Sequence, residues 1–283
     1  MKTILVPFEE SDVVNSVLES ACQTAKRFGS YVEGVYVQPA LPAIASADGF
    51  GVVTPAFVEK YELEDRQRIQ DAEKYFNNFM KERGVATEEL ETPVGQPSAV
   101  WQNVGPSEDY VGHRGRLFDL IVVGRPLQGA PVPSMHTLES ALFESGRPIL
   151  ITPPTPPKSM GESIVISWNG STETARTISF AMPFLQQAAK VSVVSIVDDM
   201  VPGPSGQDIV RHLRRNGIPA TAVDAKLNKR DIGEAMLGEA MVQGADLIVK
   251  GAYTHSRLRQ MIFGGATSYM LANTEVPIIM AHK

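Results

Sequence analysis

The stretch richest in ligand-binding chemistry runs from Asp246 to Lys283, DLIVKGAYTHSRLRQMIFGGATSYMLANTEVPIIMAHK. A short apolar run, Leu247 to Val249, reads as a buried strand, and Gly251 follows it. A polar, basic loop then carries Thr254, His255, Arg257 and Arg259 toward the pair Gly264-Gly265. Beyond the pair, Ala266 to Asn273 reads as a helix with Ala266 and Thr267 in its first turn, and Pro277 introduces a last apolar run, Ile278 to Ala281. Strand, glycine, loop, glycine pair and helix is a layout that offers backbone N–H groups and a positive helix end to a phosphate. Residues without a Cβ let the backbone approach an anion. Lys250, Arg257 and Arg259 would meet that anion with positive charge; taken singly, each also reads as a solvated surface charge. The glycines alone fit a plain strand-to-helix connection equally well.

Other reactive side chains are sparse. His255 stands next to Ser256, the pairing a general base would need, although a lone loop histidine is more often simply solvated. The five histidines show no close metal-ligand spacing, and with one cysteine no structural zinc site and no metal site is expected. Neither G-x-x-x-x-G-K-[ST] nor a G-x-S-x-G with partners in order is present. No catalytic residue is assigned on this basis.

The chain has 283 residues, enough for two ordinary domains or one large one. Its 43% hydrophobic and 20% charged content is that of a globular protein with ample core. A net charge of −6, with no Lys/Arg-rich run to reverse it, argues against nucleic acid as a partner. The single cysteine, Cys22, lies on an apolar helical stripe and reads as a packed thiol in a reducing compartment. The opening MKTILVPFEES is too short in apolar residues for a signal core or a membrane span, so a cytoplasmic protein without a membrane partner is expected.

The elements that must position these residues follow a simple alternation. Ile4 to Val6 is a short strand, followed by a helix with apolar or small residues at Val13, Val17, Leu18, Ala21, Cys22 and Ala25, which Ser11 or Asp12 would cap and Gly29 would end. Tyr31 to Val37 is a strand, a Pro/Gly/Ala-rich excursion spans Pro39 to Pro55, and a long helix runs from Ala56 to Arg83. A third strand over Val85 to Thr92 and a helix over Ser98 to Val104 are expected next, then a strand at Leu120 to Val123, a helix at Leu138 to Glu144 and a strand at Ile149 to Thr152. Strands alternating with helices predict an α/β fold with a doubly wound parallel sheet.

After the proline run Pro153, Pro154, Pro156, Pro157 the pattern begins again. TILVPFEESDVVNSVLESA from Thr3 aligns without a gap on SIVISWNGSTETARTISFA from Ser163. FDLIVVGRP from Phe118 matches ADLIVKGAY from Ala245, and RPILIT from Arg147 matches VPIIMA from Val276. Two copies of one unit, 1–152 and 163–283, account for the length.

The run G-A-Y-T-H-S-R-L-R-Q-M-I-F-G-G-A-T resembles the nucleotide loop of the universal stress protein family: Gly, two residues, Gly, nine residues, Gly, then Ser or Thr. Gly251 and Gly264 fall on the first and third glycines; Thr254 replaces the second, and Gly265 replaces the small hydroxyl residue. The resemblance covers nearly the whole chain as a tandem pair. It implies a non-catalytic stress-response protein that binds ATP or another adenine nucleotide, with sites where the loops after the first and fourth strands meet. In the second half those residues would be Asn169, Asp198, Gly251, Thr254, His255, Arg257, Gly264, Gly265, Ala266 and Thr267. Family members that bind ATP carry an Asp where this chain has Glu9 and Asn169; Asn169 could hydrogen-bond a ribose or base, or serve as a turn residue before a cap at Ser171. Asp198 could frame an adenine or be an exposed loop acid. In the first half Pro126, Pro131 and Pro133 interrupt the loop after Gly124, each removing a backbone donor, so that half reads as a site that has lost its cradle. The resemblance also implies an intrachain domain pair with Ile149–Thr152 beside Ile278–Ala281, open to a further homodimer, and an unidentified protein partner. Its rivals are a nucleotide-independent interaction module and a weak ATP hydrolase.

Overall fold

A computed structural model describes residues 1–37, 55–87, 95–103, 110–252 and 265–282. Among the described residues ten strands form one sheet: β1 (Thr3–Phe8), β2 (Tyr31–Tyr36), β3 (Ser98–Gln102), β4 (Leu120–Gly124), β5 (Ile149–Thr152), β6 (Ser163–Ser167), β7 (Lys190–Ile196), β8 (Ala220–Ala225), β9 (Leu247–Gly251) and β10 (Ile278–Ala281). Their spatial order is β3-β2-β1-β4-β5-β10-β9-β6-β7-β8, so the order of the first five strands recurs, reversed, in the last five. All pairings are parallel except the central one, where β10 runs antiparallel to β5 with Ile278, Ile279 and Met280 opposite Ile151, Leu150 and Ile149. The closing strands of the two halves therefore meet, as the resemblance implies.

Helices cover both faces, which is why the strands read as continuous apolar runs. On one face α1 (Val14–Phe28), α2 (Pro55–Glu82), α5 (Thr172–Gln187) and α6 (Gly206–Arg215) bury Leu18, Phe76, Phe184 and Leu213 against Ile4, Val6, Ile164 and Val249. On the other, α3 (Tyr110–Gly115), α4 (Met135–Glu144), α7 (Ile232–Val242) and α8 (Gly265–Asn273) bury Val111, Leu142, Met236 and Met270 against Leu5, Ile121, Val165 and Ile248. Each core layer is shared by both halves. Cys22 is buried in the first layer, and burial pushes its thiol pKa up. No helix of the described residues is long and apolar enough to cross a membrane.

Two local expectations need correction, and a third lies mostly outside the described residues. The segment expected as a helix from Ser98 is β3, an edge strand parallel to β2. Its alternation tells why: Ala99 and Trp101 face the core beside Phe76 and Phe8. Of the strand expected at Val85–Thr92, Ala86 makes a single parallel bridge to Ser98, and 88–94 lie outside the described residues. Neither Ser11 nor Asp12 caps α1 through its side chain; Val13 occupies the N-cap, while Gly29 ends the helix in the left-handed region with φ 59° as expected.

The proline-rich connection is pinned along its length. Gln23 donates to the Pro157 carbonyl at 2.7 Å, and Arg27 donates to the carbonyls of Met160 and Gly161 at 3.0 Å each. From the other half, Asp246 accepts from the backbone N–H groups of Gly161 and Ser163.

Candidate functional site

In a doubly wound sheet the crevice for a ligand opens at the carboxyl ends of the strands where the order reverses. Here that is between β1 and β4 in the first half and between β6 and β9 in the second.

The first crevice is filled by the chain itself. Pro133 lies against Gly124 so closely that a Cβ on the glycine would sit 2.5 Å from the proline Cγ. Glu9, only 7% exposed, reaches the start of α4, where its Oε1 accepts from Ser134 N–H and from the Thr137 hydroxyl at 3.0 Å each. A carboxylate thus stands where a helix N-terminus would otherwise receive an anionic ligand. Burial pushes the Glu9 pKa up, opposed by those two hydrogen bonds. What remains is a cavity of about 10 Å³ lined by Pro7, Glu9, Ser11 and Pro133 among others, roughly the room of one water. Proline interruption was legible in the sequence; the use of Glu9 as an internal anion was not.

The second crevice is built differently. Ser171 caps α5, its hydroxyl accepting from Thr174 N–H at 3.2 Å. Asn169 Oδ1 accepts from Ser171 N–H at 3.2 Å and from the Thr174 hydroxyl at 3.0 Å, and the Asn169 carbonyl accepts from Val201 N–H at 2.9 Å. Asn169 is therefore the organiser of a turn before the cap. Gly251, at the end of β9, abuts the same first turn of α5: a Cβ there would lie 2.7 Å from the Glu173 carbonyl carbon. Its missing side chain serves helix–strand packing, and it brings Gly251, Asn169 and Thr174 together. Asp198 is exposed in a 3-10 turn over Val197–Asp199.

Gly265 opens α8 in the left-handed region, φ 82°, with open space where a Cβ would point. Ala266 and Thr267 follow in the helix; the Ala266 carbonyl and Tyr269 press against Gly233 of α7. Thr254, His255, Arg257, Arg259 and Gly264 lie outside the described residues. Lys250 is not the surface charge that its sequence neighbours suggest. It is 6% exposed, and burial lowers its pKa while the nearby Asp199 carboxylate raises it. The signal was available in the sequence: Lys250 sits two residues beyond Ile248 in a buried strand, so its side chain shares that face. Among the described residues, no three His, Cys, Asp or Glu side chains gather as a metal ion would need.

The same architecture occurs in solved structures. A universal stress protein from Archaeoglobus fulgidus DSM 4304 superposes with a TM-score of 0.71 at 13% identity, over 99% of this chain and 96% of that one. The fold is that of the universal stress proteins. A universal stress protein, so described with the word "putative", from Pseudomonas aeruginosa UCBPP-PA14 matches with a TM-score of 0.53 at 13% identity, over 100% of this chain and 93% of its own. A functionally unknown protein from Pseudomonas aeruginosa PAO1 gives 0.51 at 12% identity, over 100% and 92%. No family model matches the sequence, and no curated protein matches it.

Proposed function

We propose that this chain is a tandem universal stress protein, with domains at 1–152 and 163–283, that acts in a stress response as a non-catalytic binder of ATP or another adenine nucleotide through its second half. The observation that carries this reading is the contrast between the two crevices. Glu9 and Pro133 occupy the first. The second has a left-handed glycine with open space at the start of α8 and a buried lysine beside the switch point. Such residues fit a phosphate-bearing ligand, which needs close backbone approach and positive charge. A cytoplasmic location accords with the lone free thiol.

Calorimetric titration with ATP tests the reading, together with chromatography of nucleotide released from the denatured protein. Gly264→Val, which adds a branched side chain at the third glycine of the loop, should abolish binding. Thr254→Gly, restoring the family glycine, should leave affinity unchanged or raise it. A second reading, a nucleotide-independent interaction module, is favoured by Asn169, whose side-chain oxygen is already engaged by α5. Absence of any adenine-nucleotide binding by the parent protein would establish that second reading over the first.

A further inference from the structure

Ser167 and Lys250 close β6 and β9 at the switch point of the second half and are register partners. Register partners in adjacent strands point to the same face, and here that face is the one covered by α7 and α8. Ser167 is also opposite Val194, and Lys250 opposite Met280, both members of that apolar layer. The two polar side chains end an otherwise apolar face: Ser167 follows Val165 by two residues, and Lys250 follows Ile248 by two.

Both are more than nine-tenths buried, Ser167 at 5% and Lys250 at 6% exposed, and among the described residues neither makes a hydrogen bond or ion pair. Burial disfavours the charge of the Lys250 ammonium, and among the described residues no hydrogen bond offsets the loss of water. Asp199, at the carboxyl end of β7, is close enough for its carboxylate to raise the Lys250 pKa against burial. It supports the charged form of the amine. An ammonium and a hydroxyl on neighbouring strand ends supply a charge and a donor to one tetrahedral oxyanion.

We infer that Lys250 and Ser167 form an anion seat for the phosphoryl group of a ligand, on the α7/α8 side of the switch point. The seat deepens the nucleotide reading, on which the choice of ATP as one probe rests, but it uses only residues outside the glycine loop. Its chemistry is that of a phosphate ester or anhydride.

Thermal unfolding of the full chain would be followed against rising inorganic phosphate, pyrophosphate and ATP, with the parent, Lys250→Met, Ser167→Ala and the exposed-site control Lys158→Met compared. The parent and the control should be stabilised by pyrophosphate or ATP. Lys250→Met should weaken that binding by about 10- to 100-fold, the effect of removing one charge-assisted hydrogen bond. Without ligand its melting temperature should equal or exceed the parent's, since a desolvated charge is gone. Ser167→Ala should weaken binding several-fold and decides the matter if Lys250→Met fails to fold. Equal binding by the parent and the variants overturns the seat; if ATP is what binds equally, the nucleotide reading survives. Pyrophosphate bound in a Lys250-dependent way with ATP excluded keeps the seat and removes the nucleotide reading. No stabilisation of the parent by any of the three probes overturns both.

Discussion

Glu9 and Lys250 occupy comparable ends of the two half-sheets, and burial acts on them in opposite directions. Glu9 is held by Ser134 N–H and the Thr137 hydroxyl, yet burial dominates and its pKa is raised above the ordinary 4.5. A raised acid binds its proton more tightly folded than unfolded, so stability is greatest below the unfolded pKa and falls as pH rises through the folded one. Glu9→Gln keeps an oxygen for both donors and removes the titration. Its unfolding free energy should therefore match or exceed the parent's at neutral pH, with the parent regaining ground as pH falls toward the ordinary carboxylate value. Denaturant titrations across that range would check it; a variant that loses stability at neutral pH would show that the helix end needs the anion. Glu9→Ala leaves both donors short of a buried partner and should be less stable by about 1–3 kcal/mol. None of this was legible at the residue level, because sequence shows that an acid follows β1 and not which helix end it reaches. Lys250 was closer to legible, since strand alternation assigns its face.

Among the elements, those with long apolar periods were legible and the short ones were not. The stripe Val17, Leu18, Ala21, Ala25 specifies α1, and the runs at Leu120–Val123 and Leu247–Val249 specify two inner strands. β3 has five residues, begins just after Pro97 and buries two hydrophobic side chains, so its alternation competes with a helical reading that only pairing to β2 resolves. The glycine at the end of β9 was legible as a close approach, but what approaches is α5. Gly251→Ala should push the Glu173–Thr174 backbone away and disturb the contact of Asn169 with Thr174. Overpacking of this kind is expected to cost about 1–3 kcal/mol, read as a lower urea midpoint with an unchanged slope. An unchanged midpoint would mean that α5 yields without strain.

At the scale of the whole molecule, the repeat visible in the sequence becomes one sheet because β5 and β10 cover each other's edge, removing two apolar edges from exposure. What the sequence did not reveal is how firmly the connection between the two halves is tied. The proline run reads as an extended tether, whereas Arg27 of α1 grips it with donors to Met160 and Gly161, an ion pair to Glu162 at 2.9 Å, and hydrogen bonds to Gln187 in α5. Its side chain is 15% exposed, so these bonds are partly shielded from water. Arg27→Ala would leave the two carbonyls without their donor and should lower stability by about 2–3 kcal/mol, in the range for hydrogen bonds to a charged group. The change should also be local. Lys158 and Ser159 are exposed, but the Pro157 carbonyl before them is held by Gln23 and the Met160 carbonyl after them by Arg27. A protease must draw several residues of chain into extended form, so trypsin should cut slowly after Lys158 in the parent and faster in Arg27→Ala, at a temperature where both remain folded. Mass analysis of the first fragments would locate the cut. An unchanged cleavage rate after Lys158 would show that Arg27 does not restrain the connection and that the prolines alone stiffen it.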